Sequence, residues 1–372
     1  MQKVLSIIGT RPEAIKMAPV VRELQRFPDE FSPVVCVTGQ HKAMLHQVLD
    51  LFGILPDFDL NLMMPDQSLA ELTGKLFLNL ERVFTEVKPD WVLAQGDTTT
   101  SCVASLMAFY KKIPFGHVEA GLRTGDNSRP FPEEVNRKIA DMVASIYFAP
   151  TERARKALLD EGVRGSNIHV TGNTVIDALQ DIAAKPFDWR RSPIGFINDD
   201  ERKIVLITAH RRENFGQPFR NLCNALSELA KLFTDDVRFV YPVHLNPHVR
   251  QPVREILGGR ENVHLLEPLD YLSLIHLMKK SFIVLTDSGG IQEEAPGLGI
   301  PVLVMREKTE RPEGVEAGVA RLVGTDKTRI INEVSLLLKT RSAYEEMAKG
   351  VNPYGDGKAA VRIVEILRGH ST

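Results

Sequence analysis

The stretch FIVLTDSGGIQEEAPGLGIPVLVM, residues 282–305, decides the fold. Its first apolar run shows no alternation of polar and apolar positions, the pattern of a strand covered on both faces. That strand runs directly into Asp287-Ser288-Gly289-Gly290 and opens a helix carrying Glu293 and Glu294. Two glycines let a ligand approach the backbone, and the first helical turn offers unpaired N–H groups and the positive end of its dipole to an anion. An acidic side chain one turn further on is placed to accept hydrogen bonds from a ribose diol. The plain alternative is an ordinary strand-to-helix turn with Ser288 as its cap.

The same alternation continues outward in both directions. The second half offers IHVT, KIVLIT, RFVYP, VHLLE and PVLVM, and the first half KVLSII, PVVCVT, WVLAQ, FGHVE and IYFAP. Between them lie segments such as HKAMLHQVLDLF and LAELTGKLFLNLERVF, whose apolar residues recur at helical spacing. Buried strands between helices make an α/β chain, and 372 residues exceed one compact core of usual size. Two Rossmann-like, doubly wound parallel sheets are therefore expected. The punctuation in IHVTGNT sets the domains at 1–168 and 169–354, with the last helix, within 355–372, crossing back to the first domain. KPFDWRRSPIGFINDD, residues 185–200, reads as an exposed insertion in the second domain.

Composition narrows the function. With 43% hydrophobic and 25% charged residues the chain is of ordinary globular type, which excludes disordered and fibrous classes. Lys and Arg number 46 against 48 Asp and Glu, a net charge of -2, so neither nucleic acid nor a membrane is an expected partner. Any anion site must be local. Cys36, Cys102 and Cys223 are odd in number and far apart, which fits buried thiols in a reducing compartment and neither a disulfide framework nor a zinc site. The amino terminus enters a strand at once, and no apolar run approaches the ~18 residues that span a bilayer, so a cytoplasmic location is expected.

In open α/β sheets ligands bind beyond the carboxyl ends of the strands. Those ends carry Gly9-Thr10-Arg11-Pro12-Glu13 with Lys16, Gly96-Asp97-Thr98, Glu119-Ala120-Gly121-Leu122-Arg123, His210-Arg211-Arg212-Glu213, His244, and Asp287 to Gly290. Each has a structural explanation of its own. Asp97 could cap the next helix, Glu119 could pair with Arg123, Glu133 and Glu134 suit any first helical turn, Arg11 and Lys16 could be solvated, and His210 could be a core histidine. Independent caps and surface charges would not gather at one end of so many buried strands, which favours a joint site.

Missing motifs limit the chemistry. No GxGxxG follows the first strand and no GxxxxGK[ST] occurs, so neither a dinucleotide cofactor nor a P-loop is indicated. HExxH, clustered Cys/His and GxSxG are also absent, leaving carboxylates as the proton-transfer groups, with no metal and no cofactor expected.

Taken in order, GTRPEAIKMAP at 9–19, GDTTT at 96–100, HVEAGLRTGD at 117–126, PEEVNR at 132–137, TGNTVID at 171–177, HRREN at 210–214, HLNP at 244–247, TDSGGIQEEAPGLG at 286–299, TERPE at 309–313 and NPYGDG at 352–357 resemble the non-hydrolysing UDP-N-acetylglucosamine 2-epimerases. The resemblance spans nearly the whole chain. It implies a GT-B architecture with a substrate cleft between the two Rossmann-like domains, a homodimer, and a role in supplying cell-surface polysaccharide synthesis. It implies reversible interconversion of UDP-N-acetylglucosamine and UDP-N-acetylmannosamine, in which UDP is eliminated to leave 2-acetamidoglucal and then re-added. The resemblance further implies Asp97, Glu119 and Glu133 as catalytic carboxylates and His210 as the active-site histidine. The motifs do not divide the two faces of C2 among the carboxylates.

Arg11, Lys16, Ser288, Gly289, Gly290, Glu294 and Arg311 match substrate-binding positions, with His244 and Glu310 as further cleft residues. Residues near Gln40, His41 and Arg212 match an allosteric site for UDP-N-acetylglucosamine in bacterial relatives. Leu269 and Leu274 stand where many relatives place Gln and Phe near the uracil, and NSRPFPEE at 127–134 departs from the usual YSPWPEE. A hydrolysing epimerase, another GT-B UDP-sugar transferase and a silent UDP-sugar sensor are the alternatives.

Overall fold

The computed structural model describes residues 1–39, 42–64 and 66–370. Contacts divide the chain into two compact units, Met1–Ala178 with Gly355–Thr372, and Leu179–Tyr354. In unit 1 the described strands are β1 (Gln2–Ile8), β2 (Phe31–Val37), β3 (Phe58–Asp59), β4 (Trp91–Gln95), β5 (Phe115–Val118), β6 (Ile146–Ala149) and β7 (Ile168–Val170), in the order β3-β2-β1-β4-β5-β6-β7. Unit 2 holds β8 (Lys203–Thr208), β9 (Val237–Pro242), β10 (Val263–Leu266), β11 (Ile283–Thr286), β12 (Val302–Val304) and β13 (Ala320–Leu322), in the order β10-β9-β8-β11-β12-β13. All of these pairings are parallel. Each unit is Rossmann-like, and two such sheets in one chain are the content of a GT-B-like fold.

The sequence dictates these elements locally. Val4, Leu5, Ile7 and Ile8 of β1 and Ile283, Val284 and Leu285 of β11 are fully buried, as strands with helices on both faces require. The helix Leu69–Val87 buries Leu76, Leu80, Val83, Phe84 and Val87, one stripe at helical spacing, and starts on a Ser68–Glu71 capping box. All three cysteines are buried free thiols. Among the described residues no helix is long and apolar enough to cross a membrane.

One sequence expectation is corrected. Ile168–Val170, counted with the second series, instead pairs with β6 at the edge of the first sheet, and unit 1 runs on to Ala178. Its short half-buried run does not reveal which sheet it joins. The segment 185–200 is largely exposed or half-buried, as expected, and it is anchored by Ile194 and Ile197, which are fully buried, and by the Phe187 ring, which stacks 4.4 Å from that of His276.

The last helix, Ala359–Gly369, belongs to unit 1. Its start has no cap of its own, and Asp177 supplies one by accepting hydrogen bonds from the N–H groups of Ala359 (3.2 Å) and Ala360 (2.8 Å). Burial pushes the Asp177 carboxyl up to about 6 despite these bonds.

Candidate active site

Each sheet reverses its winding at one place, between β1 and β4 in unit 1 and between β8 and β11 in unit 2. Such a switch point opens a crevice at the carboxyl ends of the strands. The candidate residues fall at these two places or beyond the neighbouring strands β5, β9 and β12.

In unit 1, β1 leads through Thr10, the N-cap, into the helix Arg11–Gln25, with Arg11 half-buried at its first position. The ammonium of Lys16, on that helix, pairs with the Glu119 carboxylate beyond β5. Glu119 also accepts from Gln95 Nε2 at 3.0 Å and Asn173 Nδ2 at 3.4 Å. Its backbone lies at φ 65°, a left-handed conformation costing a non-glycine residue about 1–3 kcal/mol. The alternative pairing of Glu119 with Arg123 is not formed, because Arg123 donates instead to Asp141 (2.8 Å) and Glu161 (2.7 Å and 2.6 Å).

Asp97 follows β4 and does not cap the next helix. Thr98 does so, its hydroxyl accepting from Ser101 N–H. The Asp97 carboxylate pairs with Arg137, and Asn136 Nδ2 donates to the Asp97 carbonyl at 3.0 Å. Arg137 and Asn136 lie on the helix Glu133–Val143, so that helix holds Asp97 and presents Glu133 as well. The two adjacent glutamates differ in use. Glu134 is fully buried and accepts from Thr124 N–H (3.1 Å), Gly125 N–H (3.1 Å) and Arg137 (2.9 Å), fastening the preceding loop. Glu133 has a buried Oε2 with no hydrogen-bond partner in the protein.

Glu13, named among the strand-end residues, is a candidate to which the sequence reading gives no role of its own. Its Thr-x-x-Glu spacing from Thr10 is one that helix capping accounts for, which conceals it. The side chain instead accepts from Gly9 N–H (3.1 Å) and the Thr98 hydroxyl (2.7 Å), tying the loop after β1 to the loop after β4. Burial, with Asp97 adding repulsion, outweighs these bonds and pushes its carboxyl up to about 7.

Unit 2 is organised differently. The hydroxyls of Thr208 and Thr286, which end β8 and β11, lie 2.5 Å apart. Asp287, fully buried, accepts from His210 N–H and Arg211 N–H, both at 2.8 Å, and closes the crevice floor. The His210 ring places Nδ1 3.6 Å from Asp287 Oδ1 and stacks 5.2 Å from His244, which is exposed. Burial, with His244 and Arg211 adding to it, holds the His210 ring below its usual pKa against the pull of Asp287, so it is neutral near pH 7.

Ser288 is the N-cap of the helix Gly289–Gly297, yet its side chain makes no capping hydrogen bond. A Cβ at Gly289 would approach nothing nearer than Arg211 at 3.6 Å, and one at Gly290 nothing nearer than Glu294 at 3.9 Å. Neither glycine has a positive φ. The protein itself therefore has no need of glycine at either position.

Glu294 accepts from the Tyr271 hydroxyl at 2.7 Å, and Arg311 pairs with Glu293. Arg306, missed from sequence, pairs with Glu213 at 2.6 Å and Glu310 at 3.5 Å. Arg212 is exposed in a short 3-10 turn, Arg212–Asn214, and Gln40 and His41 lie outside the described residues. Leu269 is buried and Leu274 half-buried. Among the described residues no group of acidic, His and Cys side chains is arranged to hold a metal ion.

Two Rossmann-like sheets, each with a polar switch point and one with a glycine-floored helix start, define a GT-B-like α/β protein. The family model described as UDP-N-acetylglucosamine 2-epimerase matches residues 22–368. The chain is 54% identical over 372 residues, 98% of each protein, to the UDP-N-acetylglucosamine 2-epimerase of Escherichia coli strain K12. The crystal structure of the Neisseria meningitidis UDP-GlcNAc 2-epimerase bound to UDP-GlcNAc is 49% identical, with TM-score 0.91, covering 99% of this chain and 100% of that one. The Methanocaldococcus jannaschii enzyme, solved with UDP-GlcNAc and UDP, is 35% identical with TM-score 0.82, over 99% of both chains. This chain belongs to the UDP-N-acetylglucosamine 2-epimerase family.

Proposed function

We propose that the protein interconverts UDP-N-acetylglucosamine and UDP-N-acetylmannosamine without hydrolysis. C2 of the substrate has no adjacent carbonyl, so its proton is not acidic enough for direct removal. Departure of UDP builds positive charge at C1 and makes loss of that proton feasible. 2-Acetamidoglucal is left, and re-addition of UDP with protonation on the opposite face of C2 gives the epimer. Asp97, Glu119 and Glu133 supply the proton-transfer groups. Glu119 is set for this by its strained backbone and Lys16, Asp97 by Arg137, and Glu133 by an oxygen the fold leaves unpaired.

The observation that carries the reading is the seat at Ser288-Gly289-Gly290. Its glycines are required by no backbone angle and no neighbouring atom, which supports close approach of a diphosphate to the helix start. Arg311 is the cation proposed for that diphosphate, Glu294 the acceptor for the ribose, and His210 with His244 the histidines beside it, while Arg11 and Lys16 are the substrate-binding cations proposed in unit 1. An activator site using Gln40, His41 and Arg212 belongs to the same proposal. So does a homodimer, supported by adjoining helices of unit 1 that expose Leu78, Phe109, Tyr110 and Met142. A cytoplasmic location fits the three free thiols.

Incubation with UDP-N-acetylglucosamine in D2O, followed by NMR, tests the reading. UDP-N-acetylmannosamine carrying deuterium at C2 is expected, with turnover unaffected by EDTA. Free N-acetylmannosamine would assign the hydrolysing reaction, full retention of hydrogen at C2 a different mechanism, and no product a sensor.

A further inference from the structure

His117, in the middle of β5, is fully buried and takes no part in the chemistry proposed above. Its Nδ1 lies 2.6 Å from Asp141 Oδ1 and its Nε2 2.8 Å from the carbonyl oxygen of Gly96. A carbonyl oxygen only accepts, and so does an ionised carboxylate. Both ring nitrogens must then donate, and a ring that donates from both nitrogens is an imidazolium. With one proton fewer, a nitrogen lone pair would face an oxygen at hydrogen-bond distance in a buried site.

The two partners are the backbone of the candidate site. Gly96 immediately precedes Asp97. Asp141 Oδ2 accepts from Gly121 N–H at 3.2 Å, two residues beyond Glu119, and from Arg123 at 2.8 Å. We infer that His117 and Asp141 form a buried imidazolium–carboxylate pair that positions the loops carrying Asp97 and Glu119. His117 is a positioning residue in this scheme, and the inference rests on the functional reading above only for its effect on turnover.

The charged groups around the ring balance. Asp141 comes from the helix Glu133–Val143, Arg123 from the loop after β5, and Glu161 from beyond the helix Glu152–Asp160, while β6 contributes the Tyr147 hydroxyl, which donates to the Asp141 carbonyl at 2.8 Å. The Phe115 ring stacks 5.8 Å from His117. Burial works against the charged ring, but Asp141 and the Gly96 carbonyl outweigh it and raise the His117 pKa. Burial likewise opposes the Asp141 carboxylate, and His117 and Arg123 hold its pKa down. A raised histidine contributes stability fully present below its unfolded pKa and lost as pH rises through the folded one. A lowered aspartate contributes above its unfolded pKa, so the pair is intact from weakly acid to neutral pH.

The test uses the full chain labelled with 15N-histidine, the His117 signal being assigned by its loss in His117→Gln. Both ring nitrogens are expected to be protonated at pH 7 in the unmodified protein. Asp141→Asn should release a ring proton near neutrality. It should also lower kcat about tenfold or more with KM changed by less than about threefold, and give the rate a new dependence on pH between 6 and 8. A neutral His117 ring at pH 7 in the unmodified protein overturns the inference without recourse to any variant. So does a folded Asp141→Asn protein with kcat within about twofold of the original. Because the ring is read without turnover, a chain that formed no epimer would defeat the functional reading while the spectra still decided the pair.

Discussion

The two switch points share a topology and are put to different use. Beyond β8 and β11 the buried carboxylate of Asp287 accepts from two backbone N–H groups of the loop after β8, and two residues after Asp287 the chain carries two glycines with open space above them. Beyond β1, β4 and β5 the carboxylates of Asp97 and Glu119 are held by Lys16 and Arg137, and by side-chain amides in the case of Glu119. A carboxylate that accepts from backbone N–H groups is tied to the main chain. One paired with a Lys or Arg side chain is released for proton transfer only when that side chain changes partner. On the proposed function, the difference separates anchoring from chemistry between units of like architecture.

The comparison breaks first on the carboxylates. Asp97→Asn, Glu119→Gln and Glu133→Gln should each lower turnover on the order of 100-fold or more while leaving calorimetric UDP affinity almost unchanged. Near-normal rates in all three would dissolve the division. Glu13→Gln comes next, because the amide imitates a protonated acid that both loops accept. The Glu13 carboxyl is raised from 4.5 to about 7, so its stabilisation is complete below pH 4.5 and lost as pH rises through about 7. That shift corresponds to a loss of about 3 kcal/mol by pH 8, which the variant should not suffer. Urea denaturation midpoints of both proteins at pH 5 and pH 8 measure it, and parallel changes in the two would remove Glu13 from the account.

The anchoring side is sharpened by smaller effects. Gly289→Ala or Gly290→Ala should leave thermal stability within about 0.5 kcal/mol, since the added methyl meets nothing closer than 3.6 Å and 3.9 Å, respectively. UDP affinity should fall about tenfold if a diphosphate occupies that space. Unaltered UDP binding in both variants would place the ligand elsewhere. Ser288→Ala should weaken UDP by roughly threefold and cost less than the ~1 kcal/mol typical of a lost cap, because no capping bond exists to lose. A full capping penalty with unchanged affinity would restore the ordinary turn.

Both the sheets and the positions of most candidate residues were legible in the sequence. Continuous apolar runs identify doubly covered strands, and the residues after them fall at switch points whatever the partners are. The very short strands β3 and β13 carried no pattern long enough to read. What individual side chains do was less accessible, because it depends on partners remote in sequence. Lys16 meets Glu119 across a separation of 103 residues, and Gly96 meets His117 across 21. Glu134 and Glu133 are chemically identical neighbours whose uses diverge only through the loop that Glu134 fastens. Asp177 looked like part of a motif, and its role as a cap for residues 359 and 360 could not be anticipated from either segment.

That cap sets the order in which the chain can mature on the ribosome. Residues 179–354 form one uninterrupted unit, whereas the other unit needs the segment from Gly355 onward to complete it. The half made first must therefore wait for the half made second, roughly 10–35 s at about 5–20 residues per second. During that interval Asp177 lacks the N–H groups it caps, and the face that receives the final helix remains uncovered.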